Sequence, residues 1–233
     1  MPAGCRWLLL VSVLALVVGC AMLPFESGPG APAPTYRVGD RWVYQASDGF
    51  HAPATWVETH EVVSVNAVGI TVRVTQRGDM VDTVRTEQWS APGLVTVGAL
   101  YDSETRRFAM PLQRYNFPLV PGNVWNQWVE NVNESTHHEG AINRYVAVGG
   151  WQKITTPAGT FDAIQLRVVM HLDDGEFWRW PTTCGDRVWY APEVRAFVRA
   201  NRDAAYVERS GPEFASVWTQ HAVIELRAFT PGA

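Results

Sequence analysis

Between Ile70 and Thr75 apolar and polar residues alternate without a break: Ile70, Val72 and Val74 against Thr71, Arg73 and Thr75. A period of two places one face of an extended strand in a dry interior and the other in water. One or two such strands are marginal alone and need neighbours of the same build. The rest of the chain supplies them. Apolar runs bounded by turn residues predict strands over 41–45, 55–68, 81–89, 94–101, 107–112 and 115–120 in the first half. Further strands are predicted over 124–132, 145–154, 161–172, 187–190, 194–200, 204–208 and 214–229. Turns are expected at Gly39-Asp40, Gly78-Asp79, Pro157-Ala158-Gly159, Asp173-Asp174-Gly175 and Asn201-Arg202-Asp203, where Gly, Pro, Asp and Asn cluster. Residues 102–104 suit a hairpin turn or a short helical turn, and 133–140 reads as an exposed loop. No segment carries a helical period.

Composition agrees. From residue 20 onward there are 27 Val against 8 Leu and a single Lys, Lys153. β-Branched residues favour pleated surfaces and the missing types favour helices. The fold class expected is therefore all-β, a large antiparallel sheet curled as a sandwich or an open barrel. Ten of the eleven Trp lie in this part. They fill a core or line an apolar groove, and core filling is the simpler of the two.

Two echoes divide the chain. Gly39-Asp40-Arg41-Trp42 resembles Gly122-Asn123-Val124-Trp125, and Trp89-Ser90-Ala91-Pro92 resembles Trp189-Tyr190-Ala191-Pro192. The offsets, 83 and 100, are unequal. Two similar halves, 36–120 and 121–233, fit these echoes, and so does the recurrence of turn chemistry that any β protein needs.

The first twenty residues obey other rules. Arg6 precedes an apolar run from Trp7 to Val18, interrupted by Ser12 alone. Twelve residues fall short of the 20 or so that cross a bilayer as a helix, and a charged start before a short apolar run marks an export signal. The run ends in Val17-Val18-Gly19-Cys20, which resembles the bacterial lipobox. That resemblance implies a signal peptide over 1–19, cleavage after Gly19 and lipid on Cys20, a membrane anchor that several acyl chains would make stable. Ala21, where Asp would favour inner-membrane retention, implies the outer membrane. Residues 20–35, with Pro24, Gly28, Pro29, Gly30, Pro32 and Pro34, read as an extended tether. A β domain is expected over 36–233.

A second resemblance rests on Thr156-Pro157-Ala158-Gly159-Thr160-Phe161-Asp162-Ala163 and Trp189-Tyr190-Ala191-Pro192. These stretches are similar to motifs of the TapB-like family of bacterial periplasmic and lipoprotein domains. The similarity covers roughly 120–200. Glu193 and Arg195 stand where that pattern has glycine, which implies a different turn after Pro192. The family implies an all-β envelope domain and contributes no catalytic residues.

Candidate chemistry is sparse. There is no G-x-S-x-G elbow. Cys184 could act as a nucleophile only beside a base, and His171 is the candidate; a buried, inert thiol is the plainer reading. With the anchor removed, Cys184 has no partner for an internal disulfide. His137-His138-Glu139 has metal-ligand residue types, but neighbours on an extended chain point apart. Asp173-Asp174-Gly175-Glu176 lacks the calcium-loop spacing, and Asn133-Glu134-Ser135 is a sequon without meaning in a bacterial lipoprotein. Net charge is −4 and no basic run exists, so a nucleic-acid partner is not expected. No cofactor, metal or catalytic residue is expected. The expected role is a non-enzymatic binding or scaffolding module in the bacterial envelope, held through lipid on Cys20, with an envelope protein or apolar ligand as partner. An envelope hydrolase is the alternative.

Overall fold

The computed structural model describes residues 28–49, 54–79, 81–101, 104–175, 179–208 and 216–233, with backbone alone at 216–218. The signal, Cys20 and the first part of the tether lie outside these residues.

Twelve antiparallel strands run in chain order around a closed barrel. They are β1 (Arg41–Asp48), β2 (Ala54–Asn66), β3 (Gly69–Gly78), β4 (Asp82–Ala91), β5 (Leu94–Ala99) and β6 (Thr105–Gln113). The second six are β7 (Val124–Asn133), β8 (Glu139–Thr156), β9 (Gly159–Asp173), β10 (Thr182–Ala191), β11 (Ala196–Glu208) and β12 (Ser216–Thr230). Each strand pairs with the next, and β12 pairs with β1 from Arg41↔Thr230 to Asp48↔Ala222. The expected all-β curled antiparallel sheet is thus present, and it closes as a barrel rather than stacking as a sandwich or staying open. Closure removes both sheet edges, which otherwise template aggregation.

The alternation seen in the sequence sets the wall's two faces. On β3, Val72, Val74 and Gln76 are buried while Arg73 and Arg77 are exposed. Arg107, Glu130, Asp162, Arg167, His171 and Arg187 also stand on the exposed outer face. Exposed Val84, Met110, Val124, Trp128 and Tyr145 stand among them.

Two expected strands are corrected. Residues 115–120 form no strand; only Leu119 pairs, in a single bridge with Ala31. The strands expected over 194–200 and 204–208 are one strand, β11. Asn201-Arg202-Asp203 is not a turn, because a polar triplet can sit mid-strand when its inward member has charged company. Residues 182–186, just beyond Pro181, form the start of β10, with Thr182, Cys184 and Asp186 on one side.

One end of the barrel is sealed. Segment 28–40 crosses it against segment 114–123. Ala31 and Leu119 exchange both backbone hydrogen bonds, at 2.9 and 2.8 Å, and both are buried. Trp151 Nε1 donates to Pro29 O at 3.0 Å. Thus residues 28–35, expected to be tether, belong to the folded body. Tyr36 packs edge-on against Trp42 and Trp89, and Tyr190 meets Tyr115 at a tilt and Phe117 edge-on. Tyr36 Oη donates to Arg195 O, and Trp42 Nε1 donates to Val194 O at 2.7 Å. Aromatics thus fill the sealed end, as the abundance of Trp suggested, while Trp128 and Trp180 stand exposed.

Six strands fall in 36–120 and six in 121–233, and the first echo occupies equivalent places. Gly39 N donates to Val62 O, Val62 N to Asp40 O, and Asp40 N to Arg37 O. In the same pattern, Gly122 N donates to Val148 O, Val148 N to Asn123 O, and Asn123 N to Val120 O. Gly39 and Gly122 have φ of 89° and 88°, a left-handed conformation that glycine adopts without penalty. The register shifts after Val62 on β2 and after Val148 on β8.

Candidate functional site

Eight strands are just enough for side chains to fill a barrel, whereas sixteen leave a channel. Twelve strands leave more interior than apolar side chains close here. Among the described residues, two adjoining cavities of about 100 and 300 Å³ lie inside the wall. They meet at Leu100, Asp186 and Arg202, which line both.

A belt of ionisable groups surrounds the smaller cavity. Glu58 and His60 come from β2, Arg85 and Glu87 from β4, Arg144 from β8, Asp186 from β10 and Arg202 from β11; Arg114 follows β6. The pairs Glu58/His60 and Arg85/Glu87 are two residues apart, so each pair shares one face of its strand. On β4 this inverts the expected pattern. Val84 is 58% exposed while the Glu87 side chain is 2% exposed.

Charges cannot enter such an interior without partners. Glu87 Oε2 accepts from Arg114 Nη1 at 2.9 Å and from Trp89 Nε1 at 3.0 Å. Burial pushes its carboxyl up, but Arg114 and Arg85 more than offset this and hold it at about 2. Glu58 lies 2.5 Å from His60 Nε2 and accepts from Gln76 Nε2 at 2.6 Å. Burial again opposes its ionisation, and His60, Arg202 and Arg85 hold the carboxyl far below the carboxylate range. Arg144 donates to Gln113 O at 2.7 Å, and burial draws its guanidinium down to about 10. Asp186 differs. Burial outweighs the pull of Arg202 and Arg144, and Asp203 adds repulsion, so its carboxyl rises to about 6. Burial also pushes the Tyr36, Tyr44 and Tyr115 hydroxyls up, which keeps them neutral donors.

Within the belt, Arg85 is the side chain left with buried donors lacking an acceptor. Outside it, Trp56 Nε1 on the larger cavity's wall, Arg106 Nε, Arg179 Nε and Tyr190 Oη also lack a hydrogen-bond partner among the described residues. The Arg85 side chain is 10% exposed, and Nε and Nη1 have no hydrogen-bond acceptor. Its ion-pair contact is Glu87 Oε1, 3.8 Å from Nε.

The larger cavity is more apolar. Trp56, Ala204, Tyr206, Ala222 and Ile224 line it, together with Cys184.

The sequence-derived candidates lie apart. Cys184 faces inward and is buried, with burial pushing its thiol far above the usual range. His171 pairs with Thr183 across β9 and β10, is exposed, and bonds Thr183 Oγ1 at 3.0 Å through Nδ1. The two side chains occupy opposite faces of the wall. His137, His138 and Glu139 are exposed at the β7–β8 turn. Among the described residues no three His, Cys, Asp or Glu form a metal-binding group. Asp174, read as a turn residue, is buried; it accepts from Arg106 Nη2 at 2.7 Å and pairs with Arg179. Glu104 completes this network, accepting from Arg106 at 2.5 Å and Arg179 at 3.0 Å. It braces the strand ends away from the sealed end and leaves no unmatched charge.

The sequence reading missed the belt. Arg202 and Asp186 were hidden in polar runs that resemble turns. Glu58/His60 and Arg85/Glu87 did leave a signal, charged residues repeated at a period of two inside strands.

No family model matches the chain, and no curated protein sequence matches it. Solved structures do share its fold. One, a putative lipoprotein from Parabacteroides distasonis, has a TM-score of 0.52 at 14% identity. Another, from Bacteroides fragilis, is a putative exported protein with a YmcC-like fold, at a TM-score of 0.53 and 11% identity. Each likeness covers 87% of this chain and 100% of the other. At such identity the likeness is one of fold.

Proposed function

We propose that the chain is a bacterial envelope lipoprotein, anchored through Cys20, whose barrel is a non-catalytic binding module with a small molecule held in its lumen. The observation that carries this reading is the pair of adjoining cavities, walled by a closed sheet and ringed by oriented polar groups, the usual form of a small-molecule site. The lipobox supports the anchor, and the lipoprotein and exported-protein neighbours support the compartment. The TapB-like motifs fit the same reading. Residues 156–163 form the β8–β9 turn and 189–192 the end of β10, which are structural tasks.

The anchor also orients the module. Residue 28 lies at the sealed end, and the eight residue steps from Cys20 span at most roughly 28 Å. The sealed end then faces the outer membrane and the larger cavity points into the periplasm.

Two measurements test this. Wild-type chain should sediment with membranes and the Cys20→Ser variant should not; equal sedimentation would refute the anchor. The neutral probe N-phenyl-1-naphthylamine should gain fluorescence with the full chain, and Ala204→Trp, which fills the larger cavity, should abolish the gain. A gain that survives Ala204→Trp would refute the lumenal site.

A further inference from the structure

We propose that the lumen takes one amphipathic anion, its carboxylate or phosphate-type head held by Arg85 and Arg202 and its apolar tail in the larger cavity. This inference rests on the binding reading above and names the class of ligand.

Charge counting comes first. Arg85, Arg114, Arg144 and Arg202 line the smaller cavity against Glu58, Glu87 and Asp186. Guanidinium groups stay charged in proteins, so four guanidiniums against three carboxylates leave an excess of one positive charge before His60 is counted. A medium of low dielectric makes such an excess costly and makes an incoming anion correspondingly welcome.

Hydrogen bonding then locates the head. The two glutamates are committed elsewhere, and Asp186 lines both cavities with Arg202, its strongest charge partner, which leaves Arg85 as the guanidinium with open donors. Both Glu87 oxygens accept, Oε2 from Arg114 and Trp89, and Oε1 from Ala99 N at 3.4 Å. Both Glu58 oxygens are taken by His60 and Gln76. Arg85 is left nine-tenths buried with two donors that find no protein acceptor. Leaving such a donor unmatched is expensive, and a planar guanidinium offers a two-pronged bond to a carboxylate or phosphate. Arg202 stands where the cavities join, so a head between Arg85 and Arg202 places its tail at the mouth of the larger cavity. There Trp56, Ala222 and Ile224 provide apolar contact.

The experiment titrates octanoate, octyl phosphate, 1-octanol and acetate into the full chain held in lipid nanodiscs, read by tryptophan fluorescence, since Trp89 lies in the belt. Empty nanodiscs supply the blank. At least one eight-carbon acid should bind tenfold or more tighter than 1-octanol and acetate, and the tighter of the two acids identifies the head. Arg85→Met should erase the preference for acid over alcohol while 1-octanol still binds. Arg202→Gln, a milder change, should reduce it several-fold, which keeps the test open if Arg85→Met does not fold. Equal binding of acid and alcohol would overturn the anionic head and leave the lumenal site standing. Binding of acetate as tight as octanoate would overturn the tail. No binding by any eight-carbon ligand would overturn the lumenal reading itself.

Discussion

Arg195 Nη2 donates to Asp40 Oδ1 at 2.8 Å, joining the turn after β10 to the entry of β1 across 155 residues of chain. Arg195 is left-handed, with φ of 60° and ψ of 19°. A left-handed backbone is one glycine adopts without strain, and Arg195 holds it here through its side-chain bond. Asp40 is fully buried and also accepts from Arg37 N at 2.8 Å and Gly232 N at 2.7 Å. One carboxylate thus ties the start of the barrel, its end and the β10–β11 turn together.

Asp40→Ala should lower unfolding free energy by about 3–5 kcal/mol, the usual cost of removing one partner from a buried pair. Arg195→Gly should cost less. It loses the same bond but relieves a left-handed non-glycine residue, a strain of order 1–3 kcal/mol. Urea denaturation of both variants checks the order; an equal or larger loss in Arg195→Gly would contradict it.

The network of Glu104, Arg106, Asp174 and Arg179 should behave as a brace separate from the lumen. Arg106 is fully buried and bonds Asn131 Oδ1 at 2.7 Å besides its two carboxylates. Arg106→Met leaves Asp174 and Glu104 sharing Arg179 and removes a guanidinium from Asn131, and should cost about 3–5 kcal/mol. Thermal unfolding measures the loss, and octanoate affinity of the folded variant should stay within twofold of wild type.

Asp186 makes stability and binding depend on pH. Its folded carboxyl sits at about 6, above the usual 3.8. The folded state therefore holds more protons than the unfolded state between those values, and stability falls as pH rises through that window. The groups facing Asp186 are Arg202, Arg144 and Asp203. Asp186→Asn should be more stable than wild type at pH 7.5, with the advantage gone by pH 4. The same variant should bind octanoate several-fold more tightly at pH 7.5, because one negative charge has left the belt. Denaturation midpoints at the two pH values and one titration test both claims.

Cys184 should be inert. It is 3% exposed, and burial holds its proton far into the alkaline range. Thiolate is the reactive form. Iodoacetamide at pH 8 should leave Cys184 unmodified for hours in the folded chain and label it within minutes in urea, as intact mass would record. Fast labelling of the folded chain would contradict the inward placement.

The wall was legible in the sequence, and much of the site was not. Ile70–Thr75 alternates because one of its faces meets water and the other meets Trp42 and Tyr44, a rule that needs only neighbouring residues. Closure could not be read, since pairing β1 with β12 joins residues nearly 190 positions apart. Arg202 and Asp186 escaped for a different reason. A charged residue in a polar run costs nothing at a turn, so the turn is the local reading. It becomes wrong only when distant strands bring Arg144 and Glu58 to share the interior. Arg85 and Glu87 were more accessible: two charges at a period of two inside a strand mark a face, and only the choice of inner or outer face was missing. Core filling and cavity lining, the two roles open to Trp in the sequence, meet here: Trp42 is buried core, Trp89 packs against it partly buried, and both wall the smaller cavity.

The central claim is that the lumen receives an amphipathic anion, head at Arg85 and tail in the larger cavity. A crystal structure of the chain with 8-bromooctanoate tests it most directly, because anomalous scattering locates the bromine without bias. The account predicts a bromine peak among Ala204, Ala222 and Ile224, with the carboxylate within hydrogen-bond distance of Arg85 Nε or Nη1. A bromine peak in the belt beside Arg85, or on the outer face of the wall, would contradict it.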